Sequence, residues 1–216
     1  MKNLIVLFLV ITNIPVFAQQ DPKAEKILDK VSEKKESYKT IKAGFSIDYV
    51  NLQADSKQTI KGELFIKGEK YKLTLPKSTV FYNGKTMWNF KQQVQEVYIS
   101  EPVNDANNQD IFNHPNKIFN LYKKDFKYRL LDNKQIGNEK VHLIDLYPKD
   151  LDKDYSRITL RVGQDYNIHS AKVYAKDGSR FTIMIEEMKT NKTIPDSTFT
   201  FNKKTHPKAE VIDMRF

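Results

Sequence analysis

The chain has 216 residues, a formal charge of +9 and no cysteine. The missing thiols exclude disulfides, thiol catalysis and an acylated lipobox cysteine, so the core alone must stabilise the fold. Only five basic residues are arginines, and they are scattered along the sequence, unlike the clustered arginines of a nucleic-acid reader. A solvated lysine face, an acidic protein partner or an anionic membrane surface suits this charge better.

Lys2 precedes the apolar run Leu4–Ile11, which is followed by Pro15-Val16-Phe17-Ala18. A basic start, an apolar stretch and small residues at a cleavage site describe a secretory signal peptide, residues 1–18, cut after Ala18. The run is well short of the roughly 20 residues that span a bilayer. The expected mature chain, 19–216, is one domain and a soluble monomer outside the cytoplasm. It has no Gly/Ser or Pro-rich linker and no internal repeat.

Asp21-Pro22 opens a helix, with Asp as N-cap and Pro in the first turn. Ala24, Ile27, Leu28 and Val31 follow helical spacing and form its apolar face. From Ile41 to Val50 the pattern alternates. Ile41, Ala43, Phe45, Ile47 and Tyr49 fall on one side, with Lys42, Ser46 and Asp48 on the other.

A run of short antiparallel strands follows: Gln58–Lys67, Lys70–Leu75, Thr79–Tyr82, Lys85–Phe90 and Val94–Ile99. Gly62, Gly68, Pro76 and Asn83-Gly84 punctuate them. Asn83-Gly84 predicts a type I′ hairpin with positive φ at both central residues. Val80, Phe81, Tyr82, Met87, Trp88 and Phe90 make this meander strongly aromatic and apolar.

The alternation breaks over Glu101–Lys124. Asn104–Gln109 is turn-like. Ile111, Phe112, Ile118, Phe119, Leu121 and Tyr122, interrupted by His114-Pro115-Asn116, predict two short amphipathic helices. Strand patterns return at Phe126–Leu131, Glu139–Tyr147, Arg157–Val162, Ile168–Ala175 and Ser179–Lys189, with a turn at Asp177-Gly178. Phe199–Phe201 and Val211–Met214 can add a last strand. About ten or eleven strands make a mainly β fold, an antiparallel sheet that curls rather than staying flat. The helices are the natural cover for its open side.

Catalytic and metal motifs are weak. His114, His142, His169 and His206 are isolated and form no HExxH pair. Asp150-Leu151-Asp152-Lys153-Asp154 imitates a calcium loop but has Tyr155 and Arg161 where glycine and glutamate belong. There is no GxSxG, P-loop or dinucleotide fingerprint. No metal, cofactor or enzymatic activity is expected.

In order and spacing, several segments resemble the periplasmic lipoprotein carrier family, LolA. They are Ile27–Val31, Lys39–Phe45, Gly62-Glu63-Leu64-Phe65-Ile66-Lys67, Ile118-Phe119-Asn120-Leu121, Ile158–Val162 and Phe199-Thr200-Phe201. The most specific is Asn83-Gly84-Lys85-Thr86-Met87-Trp88, similar to the family's (D/N)GKT-apolar-W hairpin. The resemblance implies an incomplete, unclosed β-barrel with a helical lid over an apolar cavity for the acyl chains of lipoproteins. It also implies a periplasmic location, an inner-membrane lipoprotein-releasing transporter as donor and an outer-membrane acceptor. Gly68 falls where proteobacterial members commonly carry an arginine that latches the lid, so that latch is missing here or supplied by another residue.

The candidate acyl-binding residues are Phe45, Ile47, Tyr49, Leu64, Ile66, Tyr71, Leu73, Leu75, Trp88 and Phe90, with Ile118, Phe119, Leu121 and Tyr122 from the insert. Each is cavity or ordinary core, because period two groups side chains by face without saying which face is hollow. Two other readings stay open beside the carrier. One is a lipid- or lipoprotein-binding sensor module that does not deliver cargo. The other is an enzyme acting on lipid or glycan.

Overall fold

Asp21 starts the fold's long helix, α1 (Pro22–Glu36). Its Oδ1 accepts the N–H groups of Lys23 and Ala24, which would otherwise lack intrahelical partners. The computed structural model describes residues 20–101, 124–136 and 139–215. The predicted signal peptide and the insert helices lie outside these residues. Among the described residues, no helix is long and apolar enough to cross a membrane.

Among the described residues, twelve strands form one sheet, against the ten or eleven expected. They are β1 (Thr40–Asn51), β2 (Ser56–Lys67), β3 (Lys70–Leu75), β4 (Ser78–Tyr82), β5 (Met87–Lys91) and β6 (Glu96–Ser100), then β7 (Phe126–Ile136), β8 (Glu139–Pro148), β9 (Tyr155–Gly163), β10 (Ile168–Ala175), β11 (Arg180–Thr190) and β12 (Glu210–Asp213). Two antiparallel meanders, β1–β6 and β7–β11, are joined where β1 pairs with β11. The sheet does not close: β7 and β12 are its two edges.

Turn chemistry explains the short connections. Gly68 has φ +56° in the tight turn between β2 and β3, a left-handed conformation that favours glycine. The β4–β5 hairpin forms as expected, but not through a type I′ turn. Its loop runs from 83 to 86, Gly84 has positive φ and Asn83 does not. Asn83 instead accepts the N–H groups of Lys85 and Thr86 on its side-chain oxygen, an Asx turn that stabilises the longer loop.

The two halves of the sheet are covered on opposite faces. Over β7–β10, α1 packs on what we call the inner face. Ala24, Leu28 and Val31 join Tyr128, Ile144, Leu146, Ile158, Leu160 and Ala171 in one buried cluster. Leu28 is only 1% exposed, so truncating it to alanine would cost about 2–5 kcal/mol.

Over β4–β6 the cover lies on the outer face, and the chain after β11 supplies it. Phe81, Phe90, Val97 and Ala209 are buried together, with Trp88 and Phe201 against them. The Phe201 ring centroid lies 5.5 Å from that of Phe90. Phe199 is fully buried in a short 3-10 turn, Asp196–Phe199, not in the strand expected over Phe199–Phe201. The chain then reaches β12, which pairs with β6 in parallel.

Lys67 and Lys70, flanking the Gly68 turn, both donate to Asp196 at 2.8 Å and tie this strap to the β2–β3 hairpin. The two ammonium groups hold the Asp196 carboxyl down at about 2.

The far edge, β7, is protected by the residues that begin α1. Gln20 accepts the Tyr128 N–H and donates to the Phe126 carbonyl, while Asp21 Oδ2 accepts the Leu130 N–H at 2.9 Å. These bonds occupy backbone groups that an open edge would offer to another strand.

Candidate functional site

Among the described residues, part of the inner face is left open between these two covers. Register places Phe45 and Ile47 of β1 beside Ile185 and Ile183 of β11. On the other flank, Ala43 faces Leu64, Ile41 faces Ile66, and Leu64 faces Leu73. The resulting hollow holds about 1130 Å³ of open space, solvent at its mouth included.

β1, β2 and β3 contribute Ile41, Ala43, Phe45, Ile47, Leu64, Ile66, Leu73 and Leu75 to its walls. β10 and β11 contribute Ile168, Ser170, Ala171, Ile183, Ile185 and Met188. Val31, Lys35, Tyr38, Tyr166 and Asn167 close it at the C-terminal end of α1. Among the described residues, Lys35, Asn167 and Ser170 are the polar members of this lining, and Lys35 is its one formally charged residue.

Six of the candidates named from sequence meet here: Phe45, Ile47, Leu64, Ile66, Leu73 and Leu75. Tyr71 shares their face but is 1% exposed and packs with Ile41, Ala43 and Ile66 beside the cavity. Burial, with the nearby Tyr82 hydroxyl, pushes the Tyr71 phenol well above its ordinary value. Its hydroxyl donates to the sulfur of Met87 at 3.5 Å.

Tyr49 lies further along β1, against Phe181 at 5.0 Å, and its hydroxyl shares a hydrogen bond with Ser179. It does not line the cavity. Trp88 and Phe90 are on the opposite face: Trp88 faces Phe81 and Phe90 faces Val97, under the C-terminal strap. Ile118, Phe119, Leu121 and Tyr122 lie outside the described residues.

Sequence reasoning passes over the β10–β11 wall. Phe181, Ile183 and Ile185 alternate just as Phe45, Ile47 and Tyr49 do, so the same period-two signal is present there. Nothing local ties it to β1, because the pairing spans more than a hundred residues of sequence.

Among the described residues, the lining holds neither a carboxylate nor a histidine to activate Ser170. Among the described residues, no three His, Asp or Glu side chains converge as metal ligands do. What the surface offers chemically is contact with hydrocarbon.

The sequence profile described as "Outer membrane lipoprotein carrier protein LolA" matches residues 36–202. Comparison with curated proteins gives no match. Among solved structures, an uncharacterised conserved protein from Thermus thermophilus is similar in fold. It is 11% identical, with 88% of this chain and 99% of that one covered and a TM-score of 0.59. Looser matches are LprF from Mycobacterium bovis, 13% identical over 82% and 97% of the two chains with a TM-score of 0.48, and the LolA superfamily protein NE2245 from Nitrosomonas europaea, 16% identical over 82% and 97% with a TM-score of 0.44. Only the first bears on the fold.

Proposed function

The chain belongs to the outer membrane lipoprotein carrier protein LolA family, and from that premise we propose that it is a soluble periplasmic carrier of lipoproteins, with no enzymatic activity of its own. Its cavity takes the acyl chains of a lipoprotein received at the inner membrane and releases them to an acceptor at the outer membrane. The observation that carries this reading is the apolar hollow that the described residues form between the end of α1 and the inner face of the sheet.

Physics sets the need. Each methylene moved from lipid to water costs about 0.8 kcal/mol. An acylated protein therefore cannot cross an aqueous space unaided. The carrier must replace that apolar contact and still let go. A pre-formed hollow with one open side meets both demands better than a closed core, which holds its contents by dense packing on every side. The residues proposed to hold the chains are Phe45, Ile47, Leu64, Ile66, Leu73 and Leu75, with Ile183 and Ile185 opposite them. Secretion with removal of residues 1–18 completes the proposal.

Mass spectrometry of material that co-purifies from the native compartment tests it. Triacylated protein bound to the chain supports the carrier. Free lipid in the absence of any acylated protein would contradict it and would favour a lipid-binding module that delivers no lipoprotein.

A further inference from the structure

The cavity has a polar end. Lys35 lines it from the last turn of α1, together with Tyr38, Asn167 and Ser170. The Tyr38 hydroxyl donates to Asn167 Oδ1 at 3.0 Å, which fixes both at the rim. Beside this rim lies a second, polar hollow that includes Lys30, Lys34 and Asp165 and shares Tyr166 as a wall. The Lys30 ammonium stands over the Tyr166 ring at 5.8 Å, and that of Lys34 over the Tyr38 ring at 5.9 Å.

Lys35 thus stands at one end of an otherwise hydrocarbon-like space, with Lys30 and Lys34 lining the neighbouring polar hollow. Of the carboxylates nearby, Glu33 pairs with Lys30 rather than Lys35, at 3.8 Å, and Asp165 accepts from both the side chain and the backbone N–H of Asn167. Lys35 itself is half-buried. A basic residue in the last helical turn complements the helix dipole wherever it points. Lining an apolar cavity is not needed for that role, and it sets a cationic side chain at the rim of a hydrocarbon-like space, where the head group of a bound acyl chain would meet it.

We propose that the cavity takes a second class of ligand, an acidic amphiphile, with its acyl tail among Phe45, Leu73 and Ile185 and its carboxylate or phosphate head received by Lys35. The inference rests on the reading of the hollow as an acyl site and adds to it a charged head-group position that a neutral lipid anchor does not need. Tail burial supplies the bulk of the affinity. Lys35 supplies discrimination between charged and neutral heads.

The test is equilibrium binding of dodecanoate, dodecyl phosphate and dodecanol to the purified protein and to Lys35→Met and Lys35→Arg. The methionine keeps most of the apolar stem and removes the charge. A charge-assisted contact at the head group is expected to make dodecanoate and dodecyl phosphate bind about tenfold more tightly than dodecanol. Lys35→Met should bring that ratio close to one, and Lys35→Arg should keep it. Inorganic phosphate alone should not displace dodecyl phosphate. An unchanged ratio in Lys35→Met overturns the head-group assignment, as does displacement by inorganic phosphate, which would mark an anion site independent of the tail. If dodecanol also fails to bind the unaltered protein, the acyl-site reading falls first.

Discussion

The ring of Phe45 on β1 lies where a side chain on its cross-strand neighbour, Gly62 of β2, would stand. A Cβ built at Gly62 would also come within 2.8 Å of the Thr74 carbonyl oxygen, a backbone atom of β3 that cannot swing aside. Glycine in a strand interior normally weakens it. Here it lets an aromatic ring lie across the sheet and form part of the cavity wall.

Gly62→Ala is therefore expected to destabilise the protein by about 1–3 kcal/mol, the usual cost of overpacking. Adding Phe45→Ala should not restore full stability, because the clash with Thr74 remains and the ring's own burial is lost. Urea unfolding of both single variants and the double variant measures the coupling between the two positions.

Asp21 serves two elements with one carboxylate. It caps α1 and also holds the Leu130 N–H of edge strand β7. Asp21→Ala is expected to cost at least the roughly 1 kcal/mol of a lost N-cap, with β7 amides exchanging faster. Partial desolvation raises the Asp21 pKa, but the N–H groups of Leu130, Lys23 and Ala24 outweigh it and the net shift is downward. A depressed carboxyl stabilises the fold above the ordinary aspartate range, and that contribution is lost as pH falls through the lowered pKa. The stability gap between the unaltered protein and Asp21→Asn should therefore shrink on acidification, as urea unfolding across that range would show.

Trp88 is the only tryptophan, so its emission reports one place. It packs under the C-terminal strap, away from the cavity. Saturating acyl ligand is expected to leave its spectrum unchanged. Phe90→Ala, at a position 3% exposed, should cost about 3–5 kcal/mol and shift Trp88 emission to the red. A ligand-dependent blue shift would place Trp88 at the binding surface.

Local pattern carries much of the fold. Asp21-Pro22 marks the start of α1, and alternation locates the strands to within a few residues, because both depend on neighbours in sequence. The turn residues mark the hairpins, although the Asn83 side chain sets a longer loop than Asn-Gly alone suggests. What escapes depends on distant partners. Trp88 and Phe90 look like cavity residues in the sequence because period two says only which side chains share a face. Which face is hollow is decided by the strap of residues 191–209, which covers the outer side of β4–β6. Phe199 has the pattern of a strand, yet it is drawn into the core by a 3-10 turn that Lys67 and Lys70 anchor through Asp196. The parallel pairing of β12 with β6 has no local signature.

The most direct test of the carrier reading is complex formation between the purified protein and a triacylated lipoprotein, compared with the same lipoprotein after removal of its acyl chains, by gel filtration in detergent-free buffer. The test is repeated with Ile47→Gln/Ile185→Gln, which places two amides in the cavity wall. The expected result is co-elution of the acylated form with the unaltered protein, none of the deacylated form, and loss of the complex in the double variant while its circular dichroism stays that of a folded sheet. Equal binding of the deacylated lipoprotein, or an undiminished complex in the folded double variant, would contradict it.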